Sequence, residues 1–263
     1  MKKVINTPTP PLWGNDELSV FLQNTDYNAR INAAKFPDIF TLLGRIYSAI
    51  HQVEEIIETD KRKEYLYVRV LTIRVHSSIL AAIRLALSGQ APESYAVIRC
   101  AIEQAWYALH IAKDPFPPKR NEIWRSRDTD ESSKSRCKSE FLIASVFSTH
   151  RSIDPATANR MHVLYETTID FGAHPNPRGM LSTVKNATQP DEIGYQVDVL
   201  SSEPLPVTTA LHEIVSTAIC TLKVVDCIYS TKFKLMNFDR EIDALSEHLN
   251  KAFTYVKSKP PVV

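Results

Sequence analysis

Glycine is scarce in this chain: 6 among 263 residues, where average usage would give roughly 18. Neither G-x-G-x-x-G nor G-x-x-x-x-G-K-[ST] can be written from Gly14, Gly44, Gly89, Gly172, Gly179 and Gly194, so dinucleotide-binding and P-loop chemistry are excluded. The shortage also disfavours folds whose tight turns need positive φ, such as all-β and doubly wound sheets, and points to helices. Other absences narrow the field further. There is no G-x-S-x-G elbow, no H-E-x-x-H, no Glu-x-x-His pair and no C-x-x-C pair. The opening MKKVINTPTPPLW has no apolar core behind its lysines, and no run of about 18 uninterrupted apolar residues follows. Neither a secretory leader nor a membrane association is expected.

An excess of either charge is missing too. Lys and Arg number 31 and Asp and Glu 30, so no whole-molecule field draws the chain to nucleic acid or to an anionic surface. The four cysteines, Cys100, Cys137, Cys220 and Cys227, lie mainly in apolar helical contexts and read as free thiols of a reducing, cytoplasmic compartment.

Proline is plentiful, with 16 copies clustered in a few places, and the intervals between clusters carry helical periodicity. Helices are expected from Pro37 to Asp60, Lys63 to Ser88, Pro92 to Lys113, Phe141 to Thr149, Pro206 to Lys234 and Asp239 to Lys257. A short helical piece is expected at Glu122 to Arg127, and another helix opens at Asp154-Pro155. The second is apolar nearly all round, hence central, and Gly89 is its left-handed cap. Around residues 180–200 the period changes, with Leu181 to Lys185 and Ile193 to Leu200 reading as short strands. The expected architecture is all-α, an antiparallel helical bundle with a small β-like insertion. Residues 1–35 form an extended proline-containing arm, 36–257 a single domain and 258–263 a tail. Within the domain, 119–140 is a flexible basic segment and 178–206 the insertion.

The densest chemical signal runs from Tyr165 to Arg178. His162, Glu166, Asp170 and His174 recur every four residues, a spacing that lines them along one helix side, although the row drifts by about 40° per step. A metal or a proton relay is one use of such a row, and a solvated face with local ion pairs is the other. His174 stands apart because Pro175 and Pro177 hold its exit rigid. On the third helix Arg99, Glu103 and His110 share a side next to Ile102 and Trp106, either as a packing ion pair or as one wall of a polar pocket facing His174 and Arg178. Arg69 and His76 are set together into an apolar face. Between 119 and 138, Lys119, Arg120, Arg125, Arg127, Lys134, Arg136 and Lys138 outnumber the acids around Trp124, a basic and aromatic mixture that suits single-stranded nucleic acid or simply a solvated loop. Gly172, where alanine would suit a helix better, marks a close approach of another backbone or a ligand to the Asp170–His174 turn.

The run from Ala91 to Glu103, the pair Trp106-Tyr107 and the stretch from Asp170 to Asn176 resemble uncharacterised bacterial helical-bundle proteins, themselves similar to the HEPN superfamily. The resemblance covers about residues 64 to 230 in outline. It implies a helical bundle acting as a ribonuclease or nucleotide-binding module in stress, defence or toxin–antitoxin systems. The family's catalytic pattern, Arg followed after four to six residues by His, is matched by Arg45 with His51 and by Arg69 with His76, although Ile46 and Val70 stand where active members usually carry a polar residue.

Together these readings assign His174, Asp170 and Glu103 to proton handling and Arg99, Arg178, Arg69 and His76 to an anionic RNA or nucleotide ligand, with no metal and no cofactor. A homodimer formed through an apolar helix face is expected. The alternatives are a non-enzymatic dimeric interaction module and a metal-dependent hydrolase built on His162, Glu166, Asp170 and His174.

Overall fold

The computed structural model describes residues 10–175, 177–181, 184–186, 194–197, 199–201 and 203–258. In chain order the helices are α1 (Glu17–Lys35), α2 (Pro37–Glu58), α3 (Leu66–Ser88), α4 (Ala91–Ala112), α5 (Lys119–Arg125), α6 (Glu131–Glu140), α7 (Ile143–Arg151) and α8 (Pro155–Thr168), then α9 (Pro177–Leu181), α10 (Pro204–Leu235) and α11 (Phe238–Ser258). The all-α bundle expected from the periodicity is what the chain forms. Among the described residues one antiparallel pair, β1 (Val184–Asn186) with β2 (Tyr195–Val197), sets Val184 opposite Val197. It is shorter than the two expected strands, and Ile193 lies outside the described residues.

Gly89 ends α3 at φ 95°, and the next residues turn the chain straight into α4, giving the hairpin around which the other helices gather. A Cβ at Gly89 would come within 2.6 Å of the Ser201 carbonyl oxygen, and the Ser201 N–H donates to the Gly89 carbonyl at 2.8 Å. The same glycine thus caps α3 and seats the chain leading into α10. Helix α10 lies against α2, α3, α4 and α8, α11 closes over α2 and α10, and α7 and α8 cover α4. Trp106 of α4 is fully buried at the centre. Both α3 and α10 are long and apolar enough to span a membrane, but half of the most apolar stretch of the first and 72% of that of the second are buried within the bundle.

Two expected segments are different in the structure. Residues 17–35 are helix, not extended arm. Few residues of α1 are buried and those are mostly polar (Ser19, Thr25, Ala29, Asn32), so no apolar stripe announces it. Hydrogen bonds hold it: Asp16 caps it by accepting from the Ser19 N–H at 2.9 Å, while Asn28 and Asn32 donate to the Ser88 and Leu87 carbonyls at the end of α3, at 3.2 and 2.9 Å. The basic segment 119–140 is likewise ordered into α5 and α6. Asp130 caps α6 through the Ser133 N–H, Ile123 and Cys137 are buried, and Trp124 packs on Phe141 with ring centroids 4.9 Å apart. Arg120 ties the segment inward, donating to Glu140 at 2.9 Å and to the His110 and Lys113 carbonyls.

Three buried imidazoles, His76, His110 and His150, have pKa values lowered chiefly by burial and shape the pH response. His150, fully buried, accepts from Trp106 Nε1 at 3.0 Å, and burial pushes its pKa down to about 4. Burial also brings His76 down to about 4, against the opposing pull of Glu54. The unfolded chain therefore takes up these protons first, and stability falls as pH drops from about 6.5 towards 4, by roughly 3 kcal/mol for His150 alone. Above pH 6.5 this contribution is fully present. Urea titrations between pH 8 and 4.5 should show the decline, and His150→Gln, which keeps an acceptor for Trp106, should flatten it.

Candidate functional site

Arg99 of α4 organises the polar cluster. Its Nε donates to Glu103 Oε1 at 2.8 Å, one helical turn on, and its Nη2 donates to the Tyr165 hydroxyl at 2.9 Å. Tyr165 lies 3.4 Å from the same Glu103 oxygen, and its ring sits 5.1 Å from the guanidinium carbon. The remaining terminal nitrogen meets His174 Nε2. A guanidinium only donates, so in this contact His174 Nε2 is the acceptor. Burial works against the Arg99 charge, but the Glu103 hydrogen bond and the Tyr165 contact outweigh it and raise its pKa. The Tyr165 hydroxyl is pushed up chiefly by burial.

His174 reaches Arg99 because α8 ends in a wide turn, Ile169–Ala173, that presses against the start of α4. Phe171 stacks on Tyr95 with centroids 5.7 Å apart. A Cβ at Gly172 would stand 2.0 Å from the Pro92 carbonyl oxygen. Its φ of 175° is open to any residue, so the requirement for glycine here is one of space alone. The backbone approach expected at Gly172 is therefore real, and the neighbour is α4.

Of the residues expected to converge, Arg99, Glu103 and His174 do. Asp170 is exposed on the same turn, and the Arg178 side chain lies outside the described part of the structure. Arg69 and His76 face different neighbours. Arg69 donates to the Asp60 and Arg62 carbonyls, both at 2.8 Å, and so braces the α2–α3 connection. His76 is buried 3.5 Å from Glu54 with its Nδ1 unbonded. In the other Arg–His pair Arg45 turns away to Glu241 and His248 of α11, at 2.9 and 3.3 Å, while His51 is exposed near Glu54. His110 is an interior residue, bonded to Thr149 and Glu140. The four-residue row does not assemble either. His162 lies on Phe147 at 4.8 Å, Glu166 is exposed, and the wide turn shifts His174 off the α8 register. Among the described residues no group of three or more His, Cys, Asp or Glu is arranged to hold a metal ion.

The Arg99–Glu103 pair forms one wall of an open cavity of about 520 Å³ between α4, α5, α6 and the start of α7. Tyr107, Trp124 and Phe141 supply aromatic surface, and Arg127 and Lys138 stand at the side. Trp124 is braced against Tyr107 and Phe141, with centroids 5.2 and 4.9 Å away. Burial raises the Tyr107 pKa to about 12. The composition of 119–138 hinted at this basic and aromatic mixture but not at its joining Arg99. Tyr165 was also missed as a partner, although it lies on the buried Ala158, Met161, Tyr165, Thr168 stripe of α8 that turns it inward.

Substituting Gly172→Ala should cost about 3 kcal/mol, because the new methyl and the Pro92 carbonyl cannot share the same space. At Gly44 no atom lies within 4 Å of a built Cβ, so Gly44→Ala within α2 should stabilise by about 0.5–1 kcal/mol. Chemical denaturation of both variants reads the opposite signs. No family model, curated protein or solved structure matches this chain.

Proposed function

We propose that this chain is a HEPN-like helical-bundle protein that binds nucleotide or single-stranded RNA in a stress or defence setting. The observation that carries the reading is the cavity beside Arg99. Its volume of about 520 Å³ suits a nucleotide-sized ligand. Trp124 and Tyr107, partly exposed and backed by buried Phe141, offer a base a stacking partner, worth roughly 1–3 kcal/mol per base. Arg127 and Lys138 offer charge to phosphate. Arg127 now meets Asp128 at 2.7 Å, but that pair is exposed and costs little to exchange for a phosphate. The Arg69–His76 pattern lends no support to nuclease chemistry. In this reading proton handling falls to His174, exposed and set against Arg99. The four free cysteines, with Cys100 exposed, fit a reducing cytoplasm.

Calorimetric titration with ATP and with a short single-stranded RNA should give saturable binding. Trp124→Ala and the pair Arg127→Gln with Lys138→Gln should each weaken it by about tenfold or more. Affinities that these substitutions leave unchanged would overturn the reading. Cleavage of the same RNA, lost in His174→Ala with binding retained, would add the nuclease step.

A second reading, a dimeric interaction module, is favoured by one surface feature. Leu66, Val70, Ile73 and Leu80 of α3 are 37–49% exposed, and their spacing follows the four-and-three step of a helix–helix seam. Phe40 and Tyr47 of α2 are exposed as well. The proposed occupant is a second copy, with exposed Arg74 of α3 complementing exposed Glu55 and Glu58 of α2 across the interface. Light scattering should give twice the chain mass, falling to the monomer value in Ile73→Glu.

A further inference from the structure

A second concavity, away from Arg99, lies between α8, α10 and α11 and encloses about 160 Å³. Two cations line it, Arg160 from α8 and Lys223 from α10, together with Thr157 and Asn250. Cys220 forms part of its floor, and no carboxylate is among the lining residues. The buried Cys220 thiol feels both cations, and Asp154 and Glu213 act on it in the opposite sense, while burial dominates its raised pKa.

The charge is held in place. Arg160 Nη2 donates to the hydroxyl of buried Ser216 at 3.2 Å, which orients the guanidinium and leaves the rest of its fork to donate elsewhere. Asp154 is a carboxylate that acts on Lys223, but it is committed to the start of α8, where it accepts from the Thr157 N–H at 3.1 Å. Glu213 and Asp226 also lie on α10. Glu213 is bonded to His212 at 3.0 Å, and burial raises the Asp226 pKa. Ser246, also in the lining, donates its hydroxyl to the Ile242 carbonyl at 3.0 Å, and the Thr157 side chain is hydrogen-bonded to Asp154, so the neutral donor that borders the cleft is the Asn250 amide.

A volume of about 160 Å³ equals that of roughly five liquid waters. It has room for one tetrahedral oxyanion and some water, and none for a base and sugar. Two cations of different reach with the Asn250 amide match the several oxygens of a phosphate group. We propose that this cleft is a binding site for a phosphate group, either free phosphate and small monoesters or one phosphate of a polynucleotide. It stands independently of the aromatic cavity and does not need it to be occupied.

The probe is inorganic phosphate, titrated into the full chain by calorimetry. The expected result is saturable binding of one phosphate at about millimolar affinity. Arg160→Gln with Lys223→Gln should weaken it by about tenfold or more, while Arg160→Lys, which keeps charge and loses the fork, should fall between. Helicity and melting of each variant confirm folding. Arg30→Gln, an exposed cation of α1 that lines neither cavity, should leave phosphate affinity unchanged. Phosphate binding that survives the Arg160 and Lys223 changes in a folded protein, or that Arg30→Gln weakens as much, overturns the assignment. A short single-stranded RNA then distinguishes the sources. Competition with phosphate, together with weaker RNA binding in the Arg160 and Lys223 variant, identifies polynucleotide phosphate. Phosphate binding that RNA does not displace identifies a free phosphate or a monoester. The nucleotide reading of the Trp124 cavity survives a failure here, because its own test turns on Trp124, Arg127 and Lys138.

Discussion

Backbone meets backbone where the turn after α8 presses on the first turn of α4, and that contact determines what the polar cluster can be. The Pro92 carbonyl occupies the space where any side chain at residue 172 would begin. Because the two main chains approach so closely, Phe171 can stack on Tyr95 and the next residues carry His174 to Arg99. Arg99 is in turn aimed by Glu103 and Tyr165, so its guanidinium is directed from two sides before His174 meets it. A bulkier residue at 172 would lift the turn off α4 and take His174 away from its partner, although no residue of the cluster itself had changed.

The same dependence explains which parts of the architecture can be read from the residues alone. Helices α2, α3, α4, α10 and α11 bury apolar faces against each other, and a buried face leaves a periodic pattern in the chain. Helix α1 leaves no such pattern, since asparagines bonded to the end of α3 hold it rather than leucines packed on a core. Helices α5 and α6 are similar: their polar composition reads as a mobile loop, while an Asp130 cap and the inward reach of Arg120 give order that composition does not carry. Gly172 could be picked out because glycine is so rare in this chain that its presence in a helical stretch needs a reason.

For the site, spacing identified residues that share a helix side but not those that meet across helices. Arg99 and Glu103 pair because they are one turn apart, which is a local fact. That His174 joins them depends on the path of the chain between α8 and α9, and the row of four from His162 to His174 misleads because the wide turn breaks the α8 register before His174 is reached. Arg69 and His76 mislead for a different reason. Residues seven apart on a helix lie on the same side, but Arg69 is drawn back to the carbonyls of residues 60 and 62, and His76 faces α2.

What an arginine does in this protein is decided by what already occupies its nitrogens. Arg120 is spent on Glu140 and two carbonyls, Arg69 on two carbonyls, and Arg62 on both oxygens of Asp60, with its guanidinium carbon 3.5 Å from the centre of the Tyr65 ring. These cations brace the fold, each satisfying backbone or carboxylate acceptors with part of its fork. Arg99 is nearly in the same position, with Glu103, Tyr165 and His174 around it, so it is better suited to shaping a wall than to capturing an anion by itself. Charge available to a ligand is found instead where a cation borders a concavity and its neighbouring carboxylate is engaged elsewhere or easily displaced. Lys138 with Arg127 meets that condition beside the aromatic surface, and Arg160 with Lys223 meets it in the cleft between α8, α10 and α11. A chain whose charges nearly cancel overall can therefore still present anion-binding positions, because pairing within the fold neutralises its cations unevenly.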